Sequence, residues 1–331
     1  MKKVKAEIQE KVNNLLVKDV ISIKETVELK KINVLVSGIA GFIGSNLALE
    51  LQRLGCIVTG VDDFSTGHYD NLKGITGVVI KCDISEKTPD FLGKFDYIFH
   101  QAAITDPRHK NQAEIVDKNT SMMSRMINLA KKDGAKLIYA SSASVYGNGP
   151  SPMEEDQELD PLCEYAKSKI KCEKLALRNT SLKSVGLRYF NVFGPRESYK
   201  GRPASMVYHL INKIKNGERV ELFKKGEQIR DHVYVKDVVK ANILAMGEDV
   251  KTGVYNVGSG IGTSFNELVV GVGLFVHNFS DKVTEIEYID NPYNGYQTNT
   301  IADLKSSLKN LRYESDYLFF RGLKDYMEFL K

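Results

Sequence analysis

A tyrosine and a lysine four residues apart, in Tyr165-Ala-Lys-Ser-Lys169, are the pair in this sequence best suited to moving a proton together. On a helix that spacing puts the phenol and the ammonium on one face, where both can act on one point. A phenol with a pKa of about 10 is a poor base at neutral pH, and a neighbouring cation favours its phenolate. A third group lies 23 residues upstream: Ser142, in Ser141-Ser142-Ala-Ser144-Val-Tyr146-Gly147, follows an apolar run and could hydrogen-bond the reacting oxygen. Taken separately, the tyrosine–lysine pair reads as surface decoration and the serines as a turn or helix cap.

A second constellation gives the first a partner. The run Ile32–Ser37 leads directly into Gly38-Ile-Ala-Gly41-Phe42-Ile43-Gly44, and a helical stretch, Ser45–Leu54, follows. In strand-turn-helix context, glycines permit a tight turn and bring backbone N–H groups close to a pyrophosphate, which sits at the positive end of the helix. The spacing is G-x-x-G-x-x-G rather than G-x-G-x-x-G. Asp62, eighteen residues past Gly44, ends the second strand, where a carboxylate accepts from an adenosine ribose diol. It favours NAD; NADP stays open if Lys73 or Lys81 compensates a 2′-phosphate. Asp83 could bond an adenine amine or cap a helix, and Ile84 and Ala102 complete the expected dinucleotide contacts together with Tyr165 and Lys169. The charge of an oxidised nicotinamide would add to that of Lys169, so that Tyr165 takes a hydroxyl proton as a hydride leaves.

These residues require a sheet whose strand ends converge. Short β-branched runs at Ile32–Ser37, Ile57–Val61, Gly77–Ile80, Tyr97–His100, Lys136–Ala140 and Ser184–Arg188 read as buried parallel strands, with helices such as Thr120–Lys132 between them. The expected class is α/β: a Rossmann-like doubly wound parallel sheet with a smaller C-terminal substrate-binding domain. The expected division is an N-terminal helical extension over 1–30, a dinucleotide domain over 31–193, and a mainly substrate-binding portion over 194–331 with segments near 230–245 returning to the first. In the later portion the pattern predicts helices at Met206–Asn216, Val235–Met246 and near Gly322–Leu330, and a strand at Val220–Phe223.

Composition narrows the classes of function. Lys and Arg number 46 against 42 Asp and Glu, and the basic residues are scattered, so nucleic acid is not the expected partner. No stretch approaches the roughly 20 apolar residues of a membrane span, and the opening residues lack the apolar core of a secretory signal. A cytoplasmic enzyme is expected. Cys56, Cys82, Cys163 and Cys172 show no C-x-x-C pairing, and the six histidines are dispersed, so no metal site is expected.

Together, Gly38, Gly41, Gly44, Ser142, Tyr165 and Lys169 resemble the extended short-chain dehydrogenase/reductase family, over residues 32–331. Within it, the stretches Tyr139–Gly147, Leu187–Glu197, Tyr199–Gly201, Ala204–Met206, Arg230–Val235, Tyr296–Gln297 and Ala302–Leu304 are most similar to the ADP-glycero-manno-heptose 6-epimerases. The resemblance implies a nucleotide-diphosphate sugar substrate, transient oxidation to a keto-sugar and return of the hydride to the opposite face, in a homo-oligomer. It further implies that Tyr165 serves one face and Lys200 the other, that Asn191 and Arg230 hold the diphosphate, and that Tyr296 lies along the nucleotide. Arg108 falls where UDP-hexose 4-epimerases often carry arginine, which keeps a one-tyrosine 4-epimerase as the alternative. Ala143-Ser144 stands where a 4,6-dehydratase would carry an Asp-Glu pair. A non-catalytic dinucleotide-binding regulator is the reading from another class.

Overall fold

The computed structural model describes residues 32–90, 93–106, 109–280, 284–290 and 297–331. The helix expected within residues 1–30, Arg108 and Tyr296 fall outside the described residues.

Six strands arise where the β-branched runs predict them: β1 (Asn33–Ser37), β2 (Ile57–Asp62), β3 (Val78–Lys81), β4 (Tyr97–His100), β5 (Lys136–Ser142) and β6 (Ser184–Tyr189). A further strand, Gly253–Val257, adds to β6, giving a seven-stranded sheet with every pairing parallel. Its core strands are apolar on both faces because both are covered. Val34 and Val36 face one core with Phe99 and Ile138, whereas Leu35 faces the other with Ile98 and Leu137. Helix α1 (Phe42–Arg53) packs beside the helix Val235–Leu244 on the first face; α2 (Gln112–Asp133) packs against α3 (Glu164–Arg178) on the second. Helix α2 starts at Gln112, well before the expected Thr120, because Asn111 caps it by accepting from the Glu114 N–H.

In the strand order, β1 lies between β4 and β2. The chain therefore leaves β1 on opposite sides of the sheet in its two halves, and a crevice opens beyond the carboxyl ends of β1 and β4. Past β6 the chain builds smaller pieces. A four-stranded sheet joins β7 (Asn191–Phe193), β9 (Ile229–Tyr234), β11 (Gly262–Ser264) and β13 (Asn299–Thr300), while β8 (Val220–Phe223) pairs with β12 (Ile286–Ile289); the strand at Gly253–Val257 is accordingly β10. With Val235–Leu244 as α5 and Lys305–Leu311 as α7, helices α4 (Met206–Lys215), α6 (Phe265–Val276) and α8 (Phe319–Phe329) enclose a third core around Leu210, Leu268, Phe319 and Leu323. Phe42, from the first turn of α1, belongs to that core, so the glycine turn abuts the C-terminal pieces.

All four cysteines are free. Among the described residues no helix is long and apolar enough to cross a membrane.

Candidate active site

The glycine turn is shaped by close backbone packing. Gly38 sits at φ 73°, and a Cβ there would lie 2.8 Å from the Ala102 nitrogen at the exit of β4. A Cβ on Gly44 would come within 2.0 Å of the Gly38 carbonyl oxygen. Only glycine lets α1 start this close to β1. The helix begins after Gly41 with no side-chain cap and no acidic residue in its first turn. Its leading N–H groups and the positive end of its dipole are therefore available to an anion. Beyond them lies a cavity of about 370 Å³ lined by the turn residues Gly38, Gly41, Phe42, Ile43 and Gly44, and by Asp62, Asp83, Ile84 and Ala102. These residues fit a dinucleotide: a phosphate cradle at one point, and carboxylates set back along the groove.

Asp62 does more than face the cavity. Its Oδ2 accepts from the Ala40 N–H and its Oδ1 from the Phe64 N–H, each at 2.9 Å, tying the glycine turn to the loop after β2. Burial raises its pKa against these two bonds. A carboxylate has roughly four lone-pair sites, so acceptor capacity remains for a diol. Asp83 lines the cavity and accepts from the Ser85 N–H at 2.8 Å within a turn; no helix starts there for it to cap. Lys73 pairs with Asp70 at 2.7 Å, and the Lys81 ammonium lies 6.0 Å from the centre of the Phe64 ring. Neither lines the cavity.

Ser142, Tyr165 and Lys169 gather one strand away, at the end of β5, which pairs with β4. Ser142 closes β5 and starts a 3-10 turn, accepting from the Ser144 N–H at 3.2 Å. Tyr165 is in the first turn of α3, half-buried, and its phenol is hydrogen-bonded to the Ser142 hydroxyl. The Lys169 ammonium donates to the Ala140 carbonyl at 2.8 Å and lies 5.7 Å from the centre of the Tyr165 ring. Burial pushes the Tyr165 phenol up to about 12, and its hydrogen bond to Ser142 opposes that rise. Lys169, itself lowered by burial, ties α3 to β5.

Beneath the trio lies a buried ion pair that the sequence reading did not single out. Arg188 of β6 grips Glu173 of α3 through Nε at 2.9 Å and Nη2 at 2.8 Å, and Ser141 donates to the same carboxylate at 2.5 Å. Glu173 is one turn beyond Lys169, and Ser141 adjoins Ser142, so the pair fixes helix against strand where the trio forms.

Lys200 reaches the dinucleotide cavity. It ends a short turn, Ser198–Lys200, in the excursion between Gly194 and Ser205, and its ammonium lies 5.5 Å from the centre of the Phe42 ring. Burial lowers its pKa, with Glu197 opposing. Ties along this excursion went unseen in the sequence because their partners are distant in the chain. Arg196 donates to the Asn71 and Lys73 carbonyls, Tyr199 stacks on His68 at 3.7 Å, and Arg202 pairs with Asp106 at 2.9 Å. It therefore spans from the loop after β2 to the loop after β4.

Asn191 and Arg230 sit at the junction outside this cavity, held by their own chain. Asn191 donates to the Asp231 carbonyl at 3.1 Å and to the Thr300 hydroxyl at 3.3 Å. Arg230 donates to the carbonyls of Ile229, Thr298 and Gln297, and its guanidinium lies 5.9 Å from the centre of the Phe265 ring. The two support the loop ends of the small sheet.

A glycine cradle at the switch point of a parallel sheet, with a serine–tyrosine–lysine cluster on the neighbouring strand end, defines a nicotinamide-dinucleotide enzyme of the extended short-chain dehydrogenase/reductase class. Residues 34–258 match the NAD dependent epimerase/dehydratase family, to which the chain belongs, and it is an NAD-dependent epimerase. The chain is 35% identical, over 90% of its own length and 98% of the relative's, to the ADP-L-glycero-D-manno-heptose-6-epimerase of Brachyspira hyodysenteriae. The crystal structure of the Helicobacter pylori ADP-L-glycero-D-manno-heptose-6-epimerase superposes with a TM-score of 0.83 at 37% identity, covering 92% of this chain and 97% of that one. The UDP-N-acetylglucosamine 4-epimerase of Methanobrevibacter ruminantium M1 superposes with a TM-score of 0.82 at 30% identity, covering 91% and 98%.

Proposed function

We propose that the chain inverts C6 of an ADP-glycero-manno-heptose by a two-group mechanism, with NAD rather than NADP as its dinucleotide. The observation that carries the reading is the approach of Lys200 to the ring of Phe42 in the cavity floored by the glycine turn. On this reading Lys200 is the second proton-handling group and Tyr165 the first; Ser142, Tyr165 and Lys169 stand at the end of β5, outside the lining of that cavity. Gly38, Gly41 and Gly44 would hold the dinucleotide, which would supply hydride acceptance and return at the sugar carbon.

Everything else falls to side chains of this chain. Ser142 donates to the reacting oxygen and Tyr165 takes its proton, so that the alcohol becomes a ketone. Lys169 holds α3 against β5 and so fixes the phenol's position. Lys200 exchanges a proton with the same oxygen when the ketone presents its other face, and its lowered pKa suits a lysine to that task. Asn191 and Arg230 are the proposed diphosphate contacts, a role that would require Arg230 to exchange at least one carbonyl for a phosphate oxygen. NAD is favoured because Asp62 faces the cavity, whereas Lys73 is committed to Asp70 and Lys81 lies outside the lining.

The test is Lys200→Ala, assayed with ADP-heptose and with UDP-hexoses as substrates. Selective loss of inversion, by about 100-fold or more, with dinucleotide reduction retained supports two-group chemistry. Unchanged turnover, or inversion of a UDP-hexose at C4 by the variant, favours the one-tyrosine reading suggested by the similarity to a UDP-N-acetylglucosamine 4-epimerase.

A further inference from the structure

The excursion that carries Lys200 is tied at its base by a single buried carboxylate. Glu197 is fully excluded from solvent. Its Oε1 accepts from the Gly194 N–H at 3.0 Å and from the Ser205 hydroxyl at 2.9 Å, and its Oε2 accepts from the Ser205 N–H at 2.7 Å. Gly194 and Ser205 are the two ends of the excursion, so one side chain closes a loop of the ten residues between them. The Tyr326 hydroxyl, reaching in from α8, is also hydrogen-bonded to Glu197.

The backbone at Glu197 takes part as well: its carbonyl accepts from the Lys200 N–H at 3.0 Å. The turn bearing Lys200 therefore starts at the stapled residue. Both ends of the excursion are set against rigid elements. Gly194 leaves no room for a Cβ, which would meet Val235 Cγ1 at 2.7 Å, and Ser205 caps α4 by accepting from the Tyr208 N–H at 3.1 Å. A buried carboxylate with three N–H or O–H donors from two chain ends is costly to desolvate. Arg196 and Arg202 already hold the flanks of the excursion. What Glu197 adds is the spacing of the two ends, and with it the height of the tip that carries Lys200 above Phe42.

We propose that Glu197 is a positioning residue that acts through Lys200, by stapling the ends of the 194–205 excursion so that the lysine is held over the glycine turn. The proposal rests on the reading of Lys200 as the second proton-handling group. Glutamine is nearly isosteric but turns one acceptor into a donor, which then opposes the N–H of Gly194 or Ser205. A reacting group displaced by about 1 Å loses on the order of 100-fold in rate.

The experiment is a double-mutant cycle of Glu197→Gln and Lys200→Ala in the full chain. Each protein is followed by sugar inversion and, separately, by the near-ultraviolet absorbance of the reduced nicotinamide in a single turnover. Glu197→Gln alone is expected to slow inversion by about 10-fold to 100-fold while the first hydride transfer stays within about twofold. Added to Lys200→Ala, it is expected to change inversion by less than about twofold, because residues that act as a unit are not additive. Should Glu197→Gln fail to fold, as judged by its thermal transition, Tyr326→Phe loosens the same staple more gently, and a smaller loss of the same pattern is expected. Losses that multiply in the Lys200→Ala background overturn the proposal while leaving the reading of Lys200 intact. So does an equal fall in hydride transfer and inversion, the mark of a purely structural role, or inversion at the unaltered rate. If Lys200→Ala itself turns over normally, the reading of Lys200 fails, and the positioning role fails with it.

Discussion

At the scale of single residues, Tyr165 shows how packing acts on a reacting group. Burial drives the phenol up to about 12, and the hydroxyl of Ser142 supplies the contrary pull. The consequence is testable. Tyr165→Phe keeps the ring and its packing but removes the proton acceptor, and general-base losses run to about 100-fold to 10,000-fold. Both nicotinamide reduction and inversion are expected to fall by that factor, with the thermal transition unmoved; turnover matching the unaltered protein would refute the assignment. The trio was legible because its members sit at fixed offsets on one helix and one strand end, where spacing determines geometry. Glu173, Arg188 and Glu197 were not, since a buried ion pair or staple is defined by partners that meet only in three dimensions.

Elements carry the dinucleotide site, and here the sequence spoke most directly. Strand β1, the glycine turn and α1 are contiguous, so their local propensities and their tertiary arrangement agree. Gly44→Ala is the decisive change. Its methyl would lie 2.0 Å from the Gly38 carbonyl, against backbone that cannot rotate away. We expect the variant to lose about 1 to 3 kcal/mol of stability, the usual cost of overpacking. It should also lose detectable dinucleotide binding in a fluorescence titration, because α1 must tilt from the turn; tight binding by a stable Gly44→Ala protein would show that the cradle tolerates displacement. Less legible was α2, whose first two turns are polar enough to read as loop until Asn111 is recognised as its cap. The excursion at 194–205 was harder still. Its course depends on Arg196 and Arg202 finding partners more than ninety positions away, a relation that no local pattern encodes.

For the molecule as a whole, two buried histidines held without charge each add a loss of stability on acidification. His232 is buried between Phe193 and Phe319, neither ring nitrogen has a hydrogen-bond partner among the described residues, and burial pushes it down to about 3. His100, bonded to Ser37 at 2.7 Å, is pushed down to about 3 as well, by burial foremost and then by the charge of Lys169. An unfolded histidine takes up its proton at about 6.5, so between that value and 3 the unfolded chain binds more protons and stability falls as pH falls. Above about 6.5 neither state is charged and the contribution is constant. From about pH 7 to about pH 5, each histidine should cost roughly 2 kcal/mol. His232→Phe keeps an aromatic ring in the cluster and should reduce the acid-induced loss by about that amount, read from urea unfolding at the two pH values; an unaltered dependence on pH would show that His232 does not stay neutral in the folded chain. The doubly wound class was legible from alternating strands and helices, but the seventh strand, Gly253–Val257, was not, because it lies within the portion after Gly194 that read as a smaller, separate domain.

That strand has a bearing on how the protein is made. It covers the outer side of β6, whose six residues are all buried in the finished sheet. During synthesis the ribosome delivers β1 to β6 long before residue 257, so the nascent amino-terminal half waits with an open, sticky margin until more than sixty further residues have emerged. Completion of the main sheet is thereby delayed until nearly half of the residues after Gly194 exist, and the two portions mature together.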